Sequence, residues 1–302
     1  MNILVTGASG FLGTALCHYL ESQHFQVMRL TSRNCDLTQA HSLPTIATQS
    51  YDIIFHLAAW TQAGDFCLKH PGQQWIINQQ INTHVLDYWL AKQPKAKLVF
   101  MGTSCAYAPD AALSENNYMK GEPIDSLYTY AMTKRMLYQG ARALHQQYGL
   151  NYLCAVPSTL YGAGYHTDGR QMHFIFDLIR KIIRGKEYGE QVVLWGDGSQ
   201  RREIILVNDF VRILCDLSQN FDNDIFNIGA GEEFSIRQFA EMISHIVGFD
   251  PDTIQYDVSR YVGATSKCLS IEKARSAVPY HLTSLQDGLT QTIHWFYEQK
   301  AF

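Results

Sequence analysis

The stretch Asn2-Ile3-Leu4-Val5-Thr6-Gly7-Ala8-Ser9-Gly10-Phe11-Leu12-Gly13 decides the fold. An apolar run of strand length enters a G-x-x-G-x-x-G turn, and a helical pattern of apolar residues follows from about Phe11. That order predicts a buried strand, a tight turn and a helix. Glycines at this spacing let the chain turn sharply, bring a pyrophosphate against main-chain N–H groups at a helix N-terminus, and seat the helix close to the strand. Gly7, Ser9, Gly10, Phe11, Leu12 and Gly13 are therefore candidate dinucleotide contacts, against the plainer reading of an ordinary glycine turn. Residues 1–20 carry no Asp, Glu, Lys or Arg, but they have no positive leader and are broken by Thr6, Gly7, Ser9, Gly10, Gly13 and Thr14. A signal peptide and a membrane span are rejected, and a cytoplasmic protein is expected.

Working outward, apolar runs alternate with helical patterns: Gln26 to Leu30, Ile53 to Leu57, a helix near Ile76 to Lys92, Lys97 to Met101, a helix from Tyr128 to Tyr148, and Tyr152 to Val156. This βαβ rhythm implies a parallel sheet with helices on both faces. The expected class is α/β, a Rossmann-type doubly wound sheet carrying a smaller, interleaved C-terminal α/β lobe. Residues 1–162 form the nucleotide-binding part, and segments about 202–229 return to it: Arg202 to Val207 and Ile225 to Ile228 are short apolar runs suited to the sheet. Residues 163–201 and 230–302 make the substrate lobe.

The chain has 302 residues, 46% apolar and 17% charged, which is globular composition and excludes disordered or coiled-coil readings. Its formal charge of −4 argues against a nucleic-acid partner. Seven cysteines, an odd number without a C-x-x-C pair, point away from a disulfide framework or zinc site and toward a reducing compartment, and no metal is expected.

An NAD-specific turn places an acid about 20 residues beyond its glycines, where it reads the ribose 2′-hydroxyl. Here the second strand runs into Thr31-Ser32-Arg33-Asn34. Arg29, Ser32 and Arg33 suit a 2′-phosphate, so NADP(H) is expected; Asp36 is the nearby acid that could reverse this, and a solvated loop is the plain alternative.

Tyr130-Ala-Met-Thr-Lys134 sets a phenol and an ammonium four residues apart on one helix face. A nearby cation lowers a phenol's pKa toward the range useful for proton transfer. Tyr88-Trp-Leu-Ala-Lys92 has the same spacing. Tyr130 is preferred because it follows Gly102-Thr103-Ser104-Cys105-Ala106-Tyr107, a hydroxyl-rich segment at the end of a strand, whereas Tyr88 reads as a packing residue.

Together with His56-Leu57-Ala58-Ala59, Pro157-Ser158-Thr159-Leu160-Tyr161-Gly162, Trp195-Gly196-Asp197-Gly198, Arg202-Glu203, Val207-Asn208-Asp209 and Phe226-Asn227-Ile228-Gly229, these motifs run in order along nearly the whole chain. The chain resembles the extended short-chain dehydrogenase/reductases that act on nucleotide sugars. Within that family it is most similar to the GDP-L-fucose synthase branch, NADPH-dependent 3,5-epimerase and 4-reductases acting on GDP-4-keto-6-deoxymannose. The resemblance rests on the short segment after the second strand, the run Thr103 to Tyr107, and the position of His173. It implies catalytic roles for Thr103, Ser104, Cys105, Tyr130, Lys134 and His173, with Cys105 and His173 as the acid/base pair. It adds Arg33, Asp36, Leu37, Leu57, Ala58, Ala59 and Pro157, with Tyr130 and Lys134, to the cofactor contacts, and makes Trp195, Arg202 and Lys267 substrate contacts.

Each reading has a plainer counterpart: Cys105 as strand-end filler, His173 as a helix residue, Arg202 as a surface ion pair, Trp195 as core. Tyr261-Val-Gly-Ala-Thr-Ser-Lys267 departs from the branch, with Ser266 where an Arg is usual. A C4 reductase alone, a 4-epimerase or dehydrogenase of the same family, and an NADP-sensing protein without turnover are the alternatives. A 4,6-dehydratase is disfavoured, since no acid follows Thr103. Related enzymes pair through the two long helices, and Trp75, Val85, Leu86, Trp89, Leu137, Leu144 and Tyr148 exceed what one buried face needs, so a homodimer is expected.

Overall fold

A computed structural model describes residues 1–259 and 265–302. The expectations attached to Tyr261 to Ala264 lie outside the described residues. Along the chain come β1 (Asn2–Thr6), α1 (Phe11–Ser22), β2 (Gln26–Leu30), α2 (Ser42–Ile46), β3 (Ile53–His56), α3 (Phe66–Lys69), α4 (Pro71–Lys92) and β4 (Lys97–Met101). Then follow α5 (Tyr128–Tyr148), β5 (Tyr152–Pro157), β6 (Thr159–Tyr161), α6 (Phe174–Tyr188), β7 (Val193–Trp195), β8 (Arg201–Arg202), β9 (Ile204–Leu206) and α7 (Val207–Asn220). The last are β10 (Asp224–Ile228), β11 (Phe234–Ser235), α8 (Ile236–Val247), β12 (Gln255–Asp257), α9 (Glu272–Ala277) and α10 (Leu285–Gln299).

Six strands form a parallel sheet in the order β10-β5-β4-β3-β1-β2. Alternation along each strand divides it between two cores. Leu4, Ile54, Leu98, Phe100 and Cys154 face α4 and α5, while Ile3, Val5, Phe55, Val99 and Leu153 face α1 and α7. The chain leaves β1 for β2 on one side and returns as β3 on the other, so a crevice opens beyond the C-terminal ends of β1 and β3, where doubly wound sheets bind ligands.

One of the two returning segments behaves as expected. β10 pairs with β5 at the sheet edge. Arg202 to Val207 does not join the sheet: β9 pairs with β6 in a separate two-stranded ribbon, and β8 pairs with β11. Once β10 occupies the open edge of β5, those residues have only the strand that runs on from β5 to pair with. The third core, around Phe176, Ile179, Phe239 and Phe296, fills the C-terminal lobe between α6, α8 and α10.

The helix surplus expected for a dimer is smaller than its sequence suggests. Val85, Trp89 and Leu137 are core residues with at most 1% exposure, and Leu86 and Leu144 pack partly against that core. Trp75, Ile76, Tyr128, Met136 and Tyr148 are exposed. Among the described residues, no helix is long and apolar enough to cross a membrane.

Candidate active site

The glycine turn is built as its spacing requires. Gly7 has φ +68°, and a Cβ there would stand 2.8 Å from the Ala58 nitrogen; one on Gly13 would stand 2.1 Å from the Gly7 carbonyl oxygen. Backbone therefore crosses backbone where side chains have no room. Gly10 begins α1 with no side chain capping it, and no acid stands in the first turn, so the first N–H groups of α1 are left for an anion. Gly7, Ser9, Gly10, Asp36, Leu37, Leu57, Ala58 and Ala59 line one cleft, with Ser32, Trp60, Thr61 and Phe66. This cradle fits a dinucleotide: tight glycines, unpaired helix N–H groups and an apolar wall.

The side chains of several expected contacts point away from the cleft, while the main-chain N–H groups of Phe11, Leu12 and Gly13 are the first of α1. The Phe11 ring meets Tyr165 and Phe176 edge-on, at 5.3 and 5.7 Å between centres, and so fastens α1 to the C-terminal lobe. Leu12 packs toward the α1 core, Gly13 sits under the turn, and Pro157 ends β5 opposite Ile228. Arg29 pairs with Glu21, with its Nε 2.8 Å from Oε1 and both side chains part-exposed. Arg33 is exposed on the loop beyond β2. Asp36 accepts the N–H and hydroxyl of Thr38, at 3.0 and 2.7 Å, and these hydrogen bonds hold its carboxyl below the usual range.

At the end of β4 the chain makes a short 3-10 turn, Ser104–Ala106. Thr103 is buried; its nitrogen donates to the Tyr118 hydroxyl at 3.3 Å, and its own hydroxyl accepts the Cys105 N–H at 3.2 Å. Ser104 and Cys105 are half-buried. Tyr130 on α5 faces this turn, where the Thr103 hydroxyl and Cys105 both act on its phenol. The lowering expected from Lys134 is not found. Burial, then Cys105 and Cys67, push the Tyr130 phenol up against the Thr103 hydrogen bond. The Lys134 ammonium lies 6.0 Å from the Tyr130 ring centre and is itself pushed down to about 8 by burial. Tyr88 is the packing residue anticipated: 2% exposed, its hydroxyl donates to the Ala47 carbonyl at 2.6 Å.

Behind the cofactor wall, His56 is buried between Thr6 and Asn82, with Nδ1 2.8 Å from Thr6 Oγ1 and Nε2 3.2 Å from Asn82 Oδ1. Thr6 Oγ1 also accepts the Ala58 N–H at 3.2 Å, and Asn82 Nδ2 donates to the Thr133 carbonyl at 3.4 Å. One hydrogen-bonded chain thus runs from the cleft wall to the residue before Lys134.

A second cleft, lined by His173, Arg180, Trp195, Gln200 and Arg202, opens on the C-terminal lobe. Trp195 is 54% exposed, so it is no core residue. His173 sits at the start of α6, and its imidazole is held below the ordinary value by desolvation, by Lys267 and by His166. Lys267, also expected as a substrate contact, is not among the residues lining this cleft; its Nζ is 3.1 Å from Cys105 Sγ. Arg170, which no motif singled out, borders both clefts. Glu203, the neighbour of Arg202, and Glu233 both fix the segment that carries Lys267, a role that no spacing in the sequence marks.

The sequence of residues 3–229 matches the NAD dependent epimerase/dehydratase family. The chain belongs to this family. A curated relative, GDP-L-fucose synthase 1 of Arabidopsis thaliana, is 30% identical over 97% of this chain and 92% of its own length. The dTDP-4-dehydro-6-deoxy-D-allose reductase of Streptomyces bikiniensis is 27% identical over 97% of this chain and 95% of its own. Among solved structures, a GDP-L-fucose synthetase from Naegleria fowleri bound to NADP superposes with a TM-score of 0.87, at 23% identity, covering 99% of this chain and 94% of that one. The shared fold is the doubly wound sheet described above, and this family member's cleft lies at its switch point.

Proposed function

We propose that this family member is an NADPH-dependent nucleotide-sugar epimerase/reductase, which inverts C3, C5 or both of a GDP-4-keto-6-deoxy-hexose or related 4-keto sugar nucleotide and reduces C4. The observation that carries this reading is the grouping of Cys105, Thr103 and Tyr130 at the end of β4, beside the glycine cleft, with Lys267 against the thiol. A 4-keto group acidifies the C3 and C5 protons, and a thiolate is a competent base for them. The Thr103 hydroxyl, with Ser104 next to it, hydrogen-bonds the oxygen on which charge develops, and Tyr130 delivers the proton to it. The glycine turn and Lys134 would hold NADPH, which would supply the hydride for C4. His173 serves the opposite face of the sugar, and Trp195 with Arg202 holds the nucleotide diphosphate. GDP is favoured because one relative named for a GDP sugar stands at 30% identity, against 27% for a dTDP-named reductase.

The test is a 4-keto-6-deoxy sugar nucleotide in D₂O with the cofactor withheld, because enolisation needs no hydride. Deuterium should enter C3 or C5; Cys105→Ser should abolish this, and His173→Gln should leave exchange on one face while suppressing inversion. Reduction without any exchange would establish the second reading, a C4 reductase of an already epimerised sugar. What favours that alternative is the departure of the segment ending at Lys267, where Ser266 stands in place of the branch's usual Arg. We further propose a homodimer through α4 and α5, supported by the exposed Trp75, Ile76 and Tyr128, and a cytoplasmic location, supported by seven free cysteines.

A further inference from the structure

Lys267 occupies a position expected to meet the substrate's diphosphate, yet its ammonium stands 3.1 Å from Cys105 Sγ, 162 residues away in sequence. The chain on either side is fixed. Glu233 accepts the Lys267 N–H at 3.1 Å and the Ser266 hydroxyl at 2.8 Å, and its own carboxylate is held by Arg201 Nε at 3.0 Å. Two residues on, the Leu269 N–H donates to Glu203 at 2.9 Å, and Glu203, 3% exposed, also takes the Gly231 N–H at 2.7 Å. Two carboxylates from different segments thus grip the main chain at Lys267 and at Leu269, so the ammonium is presented to the thiol by anchored backbone.

We propose that Lys267, anchored by Glu233 and Glu203, is the counter-ion that keeps Cys105 as a thiolate, and is a positioning residue for the base. The proposal rests on the reading of Cys105 as that base. In the proton transfer the sulfur lone pair takes hydrogen from the sugar carbon, an S–H bond forms as C–H breaks, and the electron pair enters the enolate. Lys267 stays an ammonium throughout. The groups acting on the sulfur are Lys267 before α9, Thr103 at the end of β4 and Tyr130 on α5, and His173 feels the same ammonium. Burial alone would raise the thiol; Lys267, by charge and hydrogen bond, and Thr103 reverse this and leave it below its ordinary value. Burial instead lifts Cys17 to about 11 and Cys268 to about 12, and raises Cys35, Cys154 and Cys215 as well.

Cys105 is therefore separable by alkylation. The intact chain is treated with iodoacetamide from about pH 5 to about pH 10, and labelling of the Cys105 peptide is followed by mass spectrometry. The wild-type midpoint should lie below about 8.5, Lys267→Met should move it up by at least about one unit, roughly tenfold less thiolate at neutral pH, and Lys267→Arg should retain most of the lowering. Glu233→Gln, which loosens the anchor while leaving the ammonium, should move it part of the way. An ordinary wild-type midpoint, or one that neither Lys267→Met nor Glu233→Gln shifts, overturns the proposal. This readout needs no turnover: a lowered, Lys267-dependent midpoint in an enzyme without deuterium exchange would sink the base assignment and leave the pairing intact.

Discussion

Acid should destabilise the fold through His56, which is buried behind the wall of the cofactor cleft. A neutral imidazole has one donor and one acceptor nitrogen. Asn82 Oδ1 only accepts, so Nε2 carries the proton and Nδ1 takes the Thr6 hydroxyl hydrogen. A second proton on Nδ1 would turn that bond around, so that Thr6 Oγ1 accepts from both His56 and the Ala58 N–H and its own hydrogen loses its acceptor. Burial first, and the charge of Lys134 second, push the His56 pKa down from 6.5 to about 4. Between those values the folded chain binds fewer protons than the unfolded one, so stability rises with pH across the window and is lost as pH falls from 6.5 toward 4. A depression of this size, at about 1.4 kcal/mol per pH unit, is worth about 3 kcal/mol in all. Urea unfolding of wild type and His56→Gln at about pH 7.5 and about pH 4.5 isolates it, because every other titrating group is common to both proteins. Wild type should lose roughly 2 to 3 kcal/mol more than His56→Gln over that interval. Parallel losses, within about 1 kcal/mol, would refute the assignment.

Tyr130→Phe and Lys134→Met should each lower C4 reduction by about 10² to 10⁴ fold in a cofactor oxidation assay, while Tyr88→Phe leaves the rate unchanged and costs about 1 kcal/mol of stability for its buried hydroxyl bond. NADPH should bind more tightly than NADH by calorimetry, and Arg33→Ala should narrow the difference with little effect on NADH; equal affinities in wild type would end the 2′-phosphate reading. Trp75→Asp with Ile76→Asp should convert the dimer to a 34.4 kDa species in light scattering at micromolar concentration, and a wild type already of that mass would remove the dimer.

What could be read from the chain was local. The turn at Gly7 to Gly13, the strands through Lys97 to Met101 and the helix Tyr128 to Tyr148 announce themselves because periodicity and turn chemistry act over a few residues. Tyr130 was separable from Tyr88 for the same reason, by the hydroxyl-rich strand end just upstream. Pairings across the chain leave no such trace. Arg29 looked free to meet a phosphate until folding set Glu21 beside it, and Val85, Trp89 and Leu137 looked surplus until α4 and α5 closed over the sheet. Whether Ile204 to Leu206 joins the main sheet or β6 depends on which edge is still open, a property of the assembled sheet. The reach of Lys267 to Cys105 depends on carboxylates at residues 203 and 233, and no motif spacing encodes it.

The outermost strand of the sheet is also the last to be made. β5, Tyr-Leu-Cys-Ala-Val-Pro, is buried along almost its whole length, but its partner β10 begins only at Asp224. On a ribosome adding about 5 to 20 residues per second, some 70 residues intervene, so this apolar edge stands bare for roughly 3 to 14 seconds. An unpaired, uncharged strand edge invites pairing with another nascent chain. Chains truncated between residues 162 and 220 would keep that edge permanently and should collect in inclusion bodies, whereas ending the chain after β10 closes it. The interleaving that lets the C-terminal half complete the sheet thus makes the two halves inseparable in biosynthesis, and places the greatest hazard midway through translation.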